Sequence, residues 1–146
     1  MKSYSSAFVR AELKRYAPNA YLENVDGKYH ILLESALPRL HFKWKSYAWG
    51  RGLVNWIRNK GDCDKWAWRH RGWIIDRNLA NKKSQYAIAC GYIHYTTDKG
   101  GRHAINIYLV EEKDGKVEVV AFEPQKNGGP IHLTQRERES ITLIVI

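Results

Sequence analysis

Cysteine is scarce: the 146 residues hold two, Cys63 and Cys90. So few thiols in a chain of this length exclude a disulfide framework, and a reducing compartment leaves both free for chemistry. Neither belongs to a CxxC pair, and the histidines at 30, 41, 70, 94, 103 and 132 show no HxxxH spacing, which argues against a zinc site. Long apolar runs are missing too. The longest, the terminal "LIVI", is far too short to cross a bilayer, and "MKSYSSAFVRAELKRY" lacks the apolar centre of a signal peptide. The expectation is a cytoplasmic protein with no membrane contact. Internal repeats, low-complexity tracts and interdomain linkers are also absent. A composition of 44% hydrophobic and 12% aromatic residues is that of a folded chain, and its length suits a single domain over residues 1–146.

Charge is plentiful and uneven. The net charge is +9. Residues 1 to 80 carry 15 Lys and Arg against 7 Asp and Glu, net +8, while residues 81 to 146 carry 9 against 8, net +1. A basic face attracts nucleic acid, an acidic protein or an acidic substrate, and charge alone does not choose among them. The six tryptophans fall between 44 and 73, interleaved with Lys43, Lys45, Arg51, Arg58, Lys60, Arg69 and Arg71. They read either as core and groove walls or as base-stacking rings along a basic groove.

The pattern along the chain changes near its middle. "SSAFVRAELKRY" has helical spacing behind a serine cap. "YLENVDGKYHILLES" reads as a hairpin, with Tyr21 to Val25 and Tyr29 to Leu33 joined at Asp26-Gly27. "LVNWIRNKGDC" reads as a short helix leading into a longer one over residues 64 to about 80. From residue 86 strands follow: "YAIACGYIHY", "HAINIYLV", "VEVVAFE" and "ITLIVI". Without βαβ alternation, this order predicts an α+β fold, a helical first half packed on an antiparallel sheet from the second half.

Three residues carry candidate chemistry. Cys63 opens the long helix in "GDCDKWAWRHRGW", and the dipole and free N–H groups of a helix N-terminus favour thiolate. The flanking carboxylates of Asp62, a candidate N-cap, and Asp64 oppose it, so a cationic partner is required. His70 shares the core-facing stripe with Cys63 but lies about 10 Å along the helix, beyond hydrogen-bond reach. His103 opens "HAINIYLV" after a glycine turn and is placed to project over the helix start. Glu123, ending the apolar strand "VEVVAFE", calls for a hydrogen-bonding or cationic partner, and an imidazole is one. Register decides whether the two meet. With a two-residue Asp114-Gly115 turn, Glu123 faces Asn106 and His103 lies on the other face. With a three-residue Lys113-Asp114-Gly115 loop, Glu123 faces Ile105 and His103 is its diagonal neighbour on the same face. The three-residue loop, or an equivalent bulge between residues 106 and 122, is the expectation. Cys90 reads as a buried strand residue.

The words "DCDKWA", "GGRHAINIYLV" and "FEPQ", in this order, resemble the catalytic order of papain-like and transglutaminase-like proteins. More narrowly, they resemble the C-terminal cysteine-protease domain of fungal agglutinins and its small bacterial and phage relatives, over roughly residues 53 to 127. The resemblance implies a papain-like core with Cys63 as nucleophile, His103 as general base and then acid, and Glu123 orienting His103. It implies a thiol hydrolase acting on a peptide or amide bond of a protein or peptide substrate, with acyl transfer as a variant. Papain's upstream glutamine has no counterpart before Gln85, so Asn55, Asn59, the Trp56 indole or backbone N–H groups take the oxyanion role. Asp62, Trp66 and Asn106 complete the expected site lining. No cofactor is called for; the agglutinin relatives leave calcium open, although Lys65 stands where a further acid would strengthen a metal site. The alternative from the residues is a non-enzymatic basic binding protein, a viral or prophage effector, engaging nucleic acid or an acidic protein partner.

Overall fold

The computed structural model describes residues 2–23, 26–53, 62–82, 84–125 and 128–146. Strand β1 (Ser3–Ser5) runs into helix α1 (Ser6–Tyr16), whose start is capped by Ser5 accepting from the Phe8 N–H at 3.3 Å. Three short strands follow, β2 (Tyr21–Glu23), β3 (Lys28–His30) and β4 (Leu32–Leu33), then helix α2 (Leu37–Gly50) with Pro38 in its first turn. Helix α3 (Cys63–Ala80) leads to β5 (Ala87–Ile88), β6 (Cys90–Thr96), β7 (Arg102–Glu111) and β8 (Val117–Glu123). The chain ends with β9 (Gly129–Ile131), helix α4 (Gln135–Glu139) behind a Thr134–Glu137 capping box, and β10 (Leu143–Val145).

Two sheets result. The larger has the order β2-β10-β6-β7-β8-β9, with β4 added along β7, and the smaller the order β1-β3-β5. The predicted division into a helical half and an antiparallel half is therefore corrected. The first half supplies four strands, and three of the pairings, β2 with β10, β4 with β7 and β3 with β5, are parallel. The fold is a strand-rich, two-sheet one. The predicted hairpin at Asp26-Gly27 is corrected as well, because β2 pairs with β10 and β3 pairs with β1. The physical reason is burial: Leu22 lies beside Ile144, which is fully buried, and no tight turn at Asp26-Gly27 could match that contact. The predicted helix at "LVNWIRNKGDC" lies largely outside the described residues.

β7 is buried on both faces, as a central strand must be when both are covered. Ile105, Ile107 and Leu109 join Val9 and Leu13 of α1 and Ile93 of β6 in one apolar cluster. Tyr108 and Val110 point the other way, into a cluster with Trp44, Trp66, Trp73 and Phe122. Three of the six tryptophans are thus core walls rather than a base-stacking stripe, since Trp44, Trp66 and Trp73 expose at most 6% of their surface. The β7–β8 hairpin has the three-residue register: Asn106 pairs with Phe122 and Glu111 with Val117. Gly115 closes the loop at φ 88°, a left-handed conformation that glycine adopts without strain.

His70 lies at the centre of the aromatic cluster, fully buried. Its Nε2 is 2.5 Å from the Tyr108 hydroxyl and its ring stacks on Phe122 at 4.8 Å. Burial, with a smaller contribution from the charge of His41, pushes its pKa from 6.5 down to about 3. As pH falls below 6.5 the unfolded chain takes up a proton that the folded imidazole refuses, so stability is lost with acidification. Urea denaturation is expected to show a loss of about 2 kcal/mol between pH 7 and pH 5 from this group, with the loss continuing towards pH 3. A stability independent of pH over that range would contradict the buried neutral assignment.

Candidate functional site

The start of α3 and the start of β7 meet at a shallow cleft of ≈ 290 Å³. It is lined by Asp62, Cys63, Asp64, His94, Arg102, His103 and Ala104. Cys63 reaches it because Asp62, in extended conformation at φ −79° and ψ 176°, ends the approach to the helix and leaves Cys63 in the first turn. The Asp62 side chain makes no capping bond. Its carboxyl is held below the usual range, first by a hydrogen bond with Asp64 and then by Lys65, whose Nζ lies 3.2 Å away. The Cys63 side chain is half-buried and rests against Ala67, Tyr92 and Ala104.

His103 enters the cleft from β7 with its orientation fixed. Its Nε2 lies 2.5 Å from Glu123 Oε2, and the edge of its ring meets Tyr95 at 5.7 Å between centroids. The register of the hairpin produces this pair, since continuing it one step beyond Asn106 and Phe122 sets Glu123 against Ile105, one diagonal step from His103. Glu123 is held in turn: its Oε1 accepts the Gln125 N–H at 3.0 Å. The buried Trp44 indole donates to the Pro124 carbonyl at 2.6 Å, pinning the end of β8. Gly128 packs so closely on this turn that a Cβ there would lie 2.0 Å from the Glu123 carbonyl oxygen and 2.5 Å from its Cγ. Gly128→Ala is therefore expected to push Glu123 off the imidazole, and the ¹⁵N shifts of the His103 ring would report it. An unchanged His103 spectrum would contradict the role given to Gly128.

With Nε2 facing a carboxylate, the proton of a neutral His103 belongs on Nε2 and Nδ1 is left as an acceptor. A ring in that state can take the proton of a neighbouring thiol as the sulfur attacks an electrophile, and the carboxylate stabilises the cation formed. On the neighbouring strand β6, Tyr92 holds His94 Nε2 through its hydroxyl and stacks on Trp68 at 4.4 Å. Burial, more than the neighbouring Asp64 charge, pushes the Tyr92 phenol up to about 12, so it stays a donor. Burial and Arg102 push the His94 imidazole down, which suits an acceptor of that bond.

Other expected site residues lie elsewhere. Trp66 faces the aromatic core and meets Trp44 edge-on at 6.2 Å. Asn106 is buried behind the cleft, donating to the Ala67 carbonyl at 3.0 Å and the Gly91 carbonyl at 3.2 Å, so it ties α3 to β6 rather than lining the cleft. Asn55, Trp56 and Asn59 lie outside the described residues. Among the described residues no group of three His, Cys, Asp or Glu side chains is placed to hold a metal ion, and the Asp62 carboxylate pairs with Lys65. No described helix is long and apolar enough to cross a membrane. Sequence reasoning missed His94, Arg102, Ala104, Tyr92 and Tyr95. The alternation in "GYIHY", which puts Tyr92 and His94 on one face and Tyr95 on the other, was the available signal.

No family model matches the chain, and no curated protein does. Among solved structures, one described as "PSL1a-E64 complex" aligns with 99% of this chain at a TM-score of 0.73 and 22% identity. A second, Polyporus squamosus lectin bound to the human-type influenza-binding epitope Neu5Acα2-6Galβ1-4GlcNAc, aligns with 99% at a TM-score of 0.69 and 22% identity. The chain spans about half the length of each, 50% and 49%. These findings correct the assignment to papain-like and agglutinin-type cysteine proteases, with the transglutaminase-like core that went with it, because the structures sharing this fold are those of a lectin. The peptide or amide hydrolase, its protein or peptide substrate and a phage or bacterial protease kinship are set aside with it. So is the alternative of a basic binder for nucleic acid or an acidic protein, since the ligands named are E64 and a carbohydrate epitope. At 22% identity the likeness establishes the fold: this chain is built like one half of a lectin of about twice its length.

Proposed function

We propose that Cys63, His103 and Glu123 form a nucleophilic thiol centre that binds an electrophilic ligand covalently. The observation that carries it is the 2.5 Å contact of His103 Nε2 with Glu123 Oε2, in a cleft that Cys63 and His103 both line. As the sulfur bonds to an electrophilic carbon, its proton passes to His103 Nδ1 and the bond broken at that carbon gives its electron pair to the group it held. That group departs as iodide from iodoacetamide and stays attached as the opened, then protonated, epoxide oxygen in E64. Glu123 is a positioning residue that acts through the imidazole. Nothing in this reading specifies hydrolysis, acyl transfer or a peptide. The solved complex of a neighbour with E64 supports a small-molecule ligand for a protein containing this fold.

The test is alkylation by iodoacetamide at neutral pH with mass mapping of the product. One adduct on Cys63, formed well before any on Cys90, is expected; burial pushes the Cys90 thiol up to about 12 and so holds it inert. Equal, slow modification of both cysteines would overturn the reading. E64 is a second probe, expected to protect Cys63 from iodoacetamide.

A second reading, carbohydrate binding, draws on the epitope named for the other neighbour. The observation favouring it is a shallow depression of ≈ 420 Å³ on α2, lined by Phe42, Lys45, Ser46 and Trp49, whose two rings are 72% and 73% exposed. Rings so exposed offer a flat apolar face beside polar groups. Titration with Neu5Acα2-6Galβ1-4GlcNAc is expected to change tryptophan fluorescence saturably, and Trp49→Ala to abolish that change. No change on titration would remove this reading and leave the thiol centre untouched.

A further inference from the structure

The far half of α3 walls a second cavity. Cys63 and Asn78 are ~22 Å apart along the helix at ~1.5 Å per residue, so this cavity is separate from the thiol cleft. It measures ≈ 360 Å³ and lies between α3, the small sheet and the chain around Ser84 to Tyr86. Ile74, Ile75, Leu79, Ile88, Cys90 and Ile146 give it apolar walls. Its polar rim is already satisfied: Asn78 Nδ2 donates to the Tyr86 carbonyl at 3.1 Å, and Ser84 Oγ lies 3.0 Å from both Asn78 Oδ1 and that carbonyl. These bonds hold the rim in shape and leave few donors to a ligand.

Two cations also line the cavity: the exposed Lys82, just beyond the end of α3, and Arg71, which alone presents a planar fork of donors. The Arg71 guanidinium lies 5.8 Å over the Trp68 ring, which orients it without neutralising it, and among the described residues it forms no ion pair. Its charge acts on both Tyr29 and Cys90, two residues that line the same cavity. A planar fork of N–H donors at one end of an apolar groove matches a carboxylate, which accepts two parallel bonds. Asp26 stands on the exposed rim and disfavours a second negative charge.

We propose that this cavity binds a small monocarboxylate with an apolar body, its carboxylate on Arg71 and its body along Ile75 and Leu79. The inference is independent of the thiol centre. Octanoate is the probe, 1-octanol the uncharged control, and ¹H–¹⁵N spectra of the intact chain the readout. Octanoate is expected to shift Arg71, Ile75, Leu79 and Ile88 saturably, and 1-octanol to bind at least about 10-fold more weakly, as loss of a charge-assisted pair requires. Arg71→Gln should bring octanoate down to the affinity of 1-octanol. Should that variant not fold, Leu79→Glu, at a position 74% exposed, places a negative charge on the wall and should weaken octanoate more than 1-octanol. Equal binding of octanoate and 1-octanol, no saturable shift, or equal shifts with inorganic phosphate would each overturn the proposal. Octanoate should leave alkylation of Cys63 unchanged; competition between them would contradict a separate site.

Discussion

His103→Ala is expected to slow alkylation of Cys63 by about 10²- to 10⁴-fold at neutral pH, the usual contribution of a positioned general base. The imidazole stands in the cleft that Cys63 lines and is tethered at 2.5 Å to Glu123, so its removal leaves the sulfur with no described base in a fixed orientation. His94 lines the same cleft, but its Nε2 is engaged by the Tyr92 hydroxyl and burial, with Arg102, lowers the basicity of its ring, so it is not expected to substitute. The His103 side chain is 23% exposed, and its loss costs the core little, which makes the rate readable in a folded protein. Alkylation at the wild-type rate in His103→Ala would mean that Cys63 reacts as any half-exposed thiol does.

The largest effect on stability is expected at Trp44. Its side chain is fully buried, meets His70 edge-on at 4.7 Å and Trp73 at 5.5 Å, and donates to the Pro124 carbonyl at 2.6 Å. Trp44→Ala removes the wall of the aromatic cluster and orphans a carbonyl, for a loss of roughly 3–5 kcal/mol or more in a urea titration. Trp44→Phe separates packing from the bond: it should cost roughly 1–3 kcal/mol, and by releasing Pro124 it should also loosen Glu123 and slow alkylation of Cys63. A neutral Trp44→Phe would show that the Pro124 bond contributes nothing to the site.

How much of this was legible in the sequence depended on how local the determining physics was. The pairing of His103 with Glu123 rests on one turn, and "KDG" specifies it: Gly115 supplies the positive φ that a three-residue loop needs, and every pair along β7 and β8 follows from that loop. Cys63 at a helix start was equally local. The failures were long-range. Nothing near Leu22 announces that its partner is Ile144, 122 positions away, so the apparent hairpin at Asp26-Gly27 misled. The two-residue β4 is visible only beside Val110 and Glu111 of β7. Trp66 and Asn106 were placed at the site from proximity in sequence, whereas the helix turns Trp66 to Trp44 and the pleat turns Asn106 to Ala67. The tryptophans looked like a basic, ring-lined surface because sequence shows interleaving and not facing; in space Trp44, Trp66 and Trp73 point inward while Trp49 and Trp68 remain exposed.

The central claim is that Glu123 acts on the thiol only through His103. It is tested most directly by a double-mutant cycle on the alkylation rate of Cys63, with His103→Ala, Glu123→Ala and the pair combined. Residues acting as one unit are strongly non-additive. The account expects Glu123→Ala to slow the reaction in the presence of His103 and to have no further effect once His103 is gone. Equal effects of Glu123→Ala in both backgrounds would contradict it.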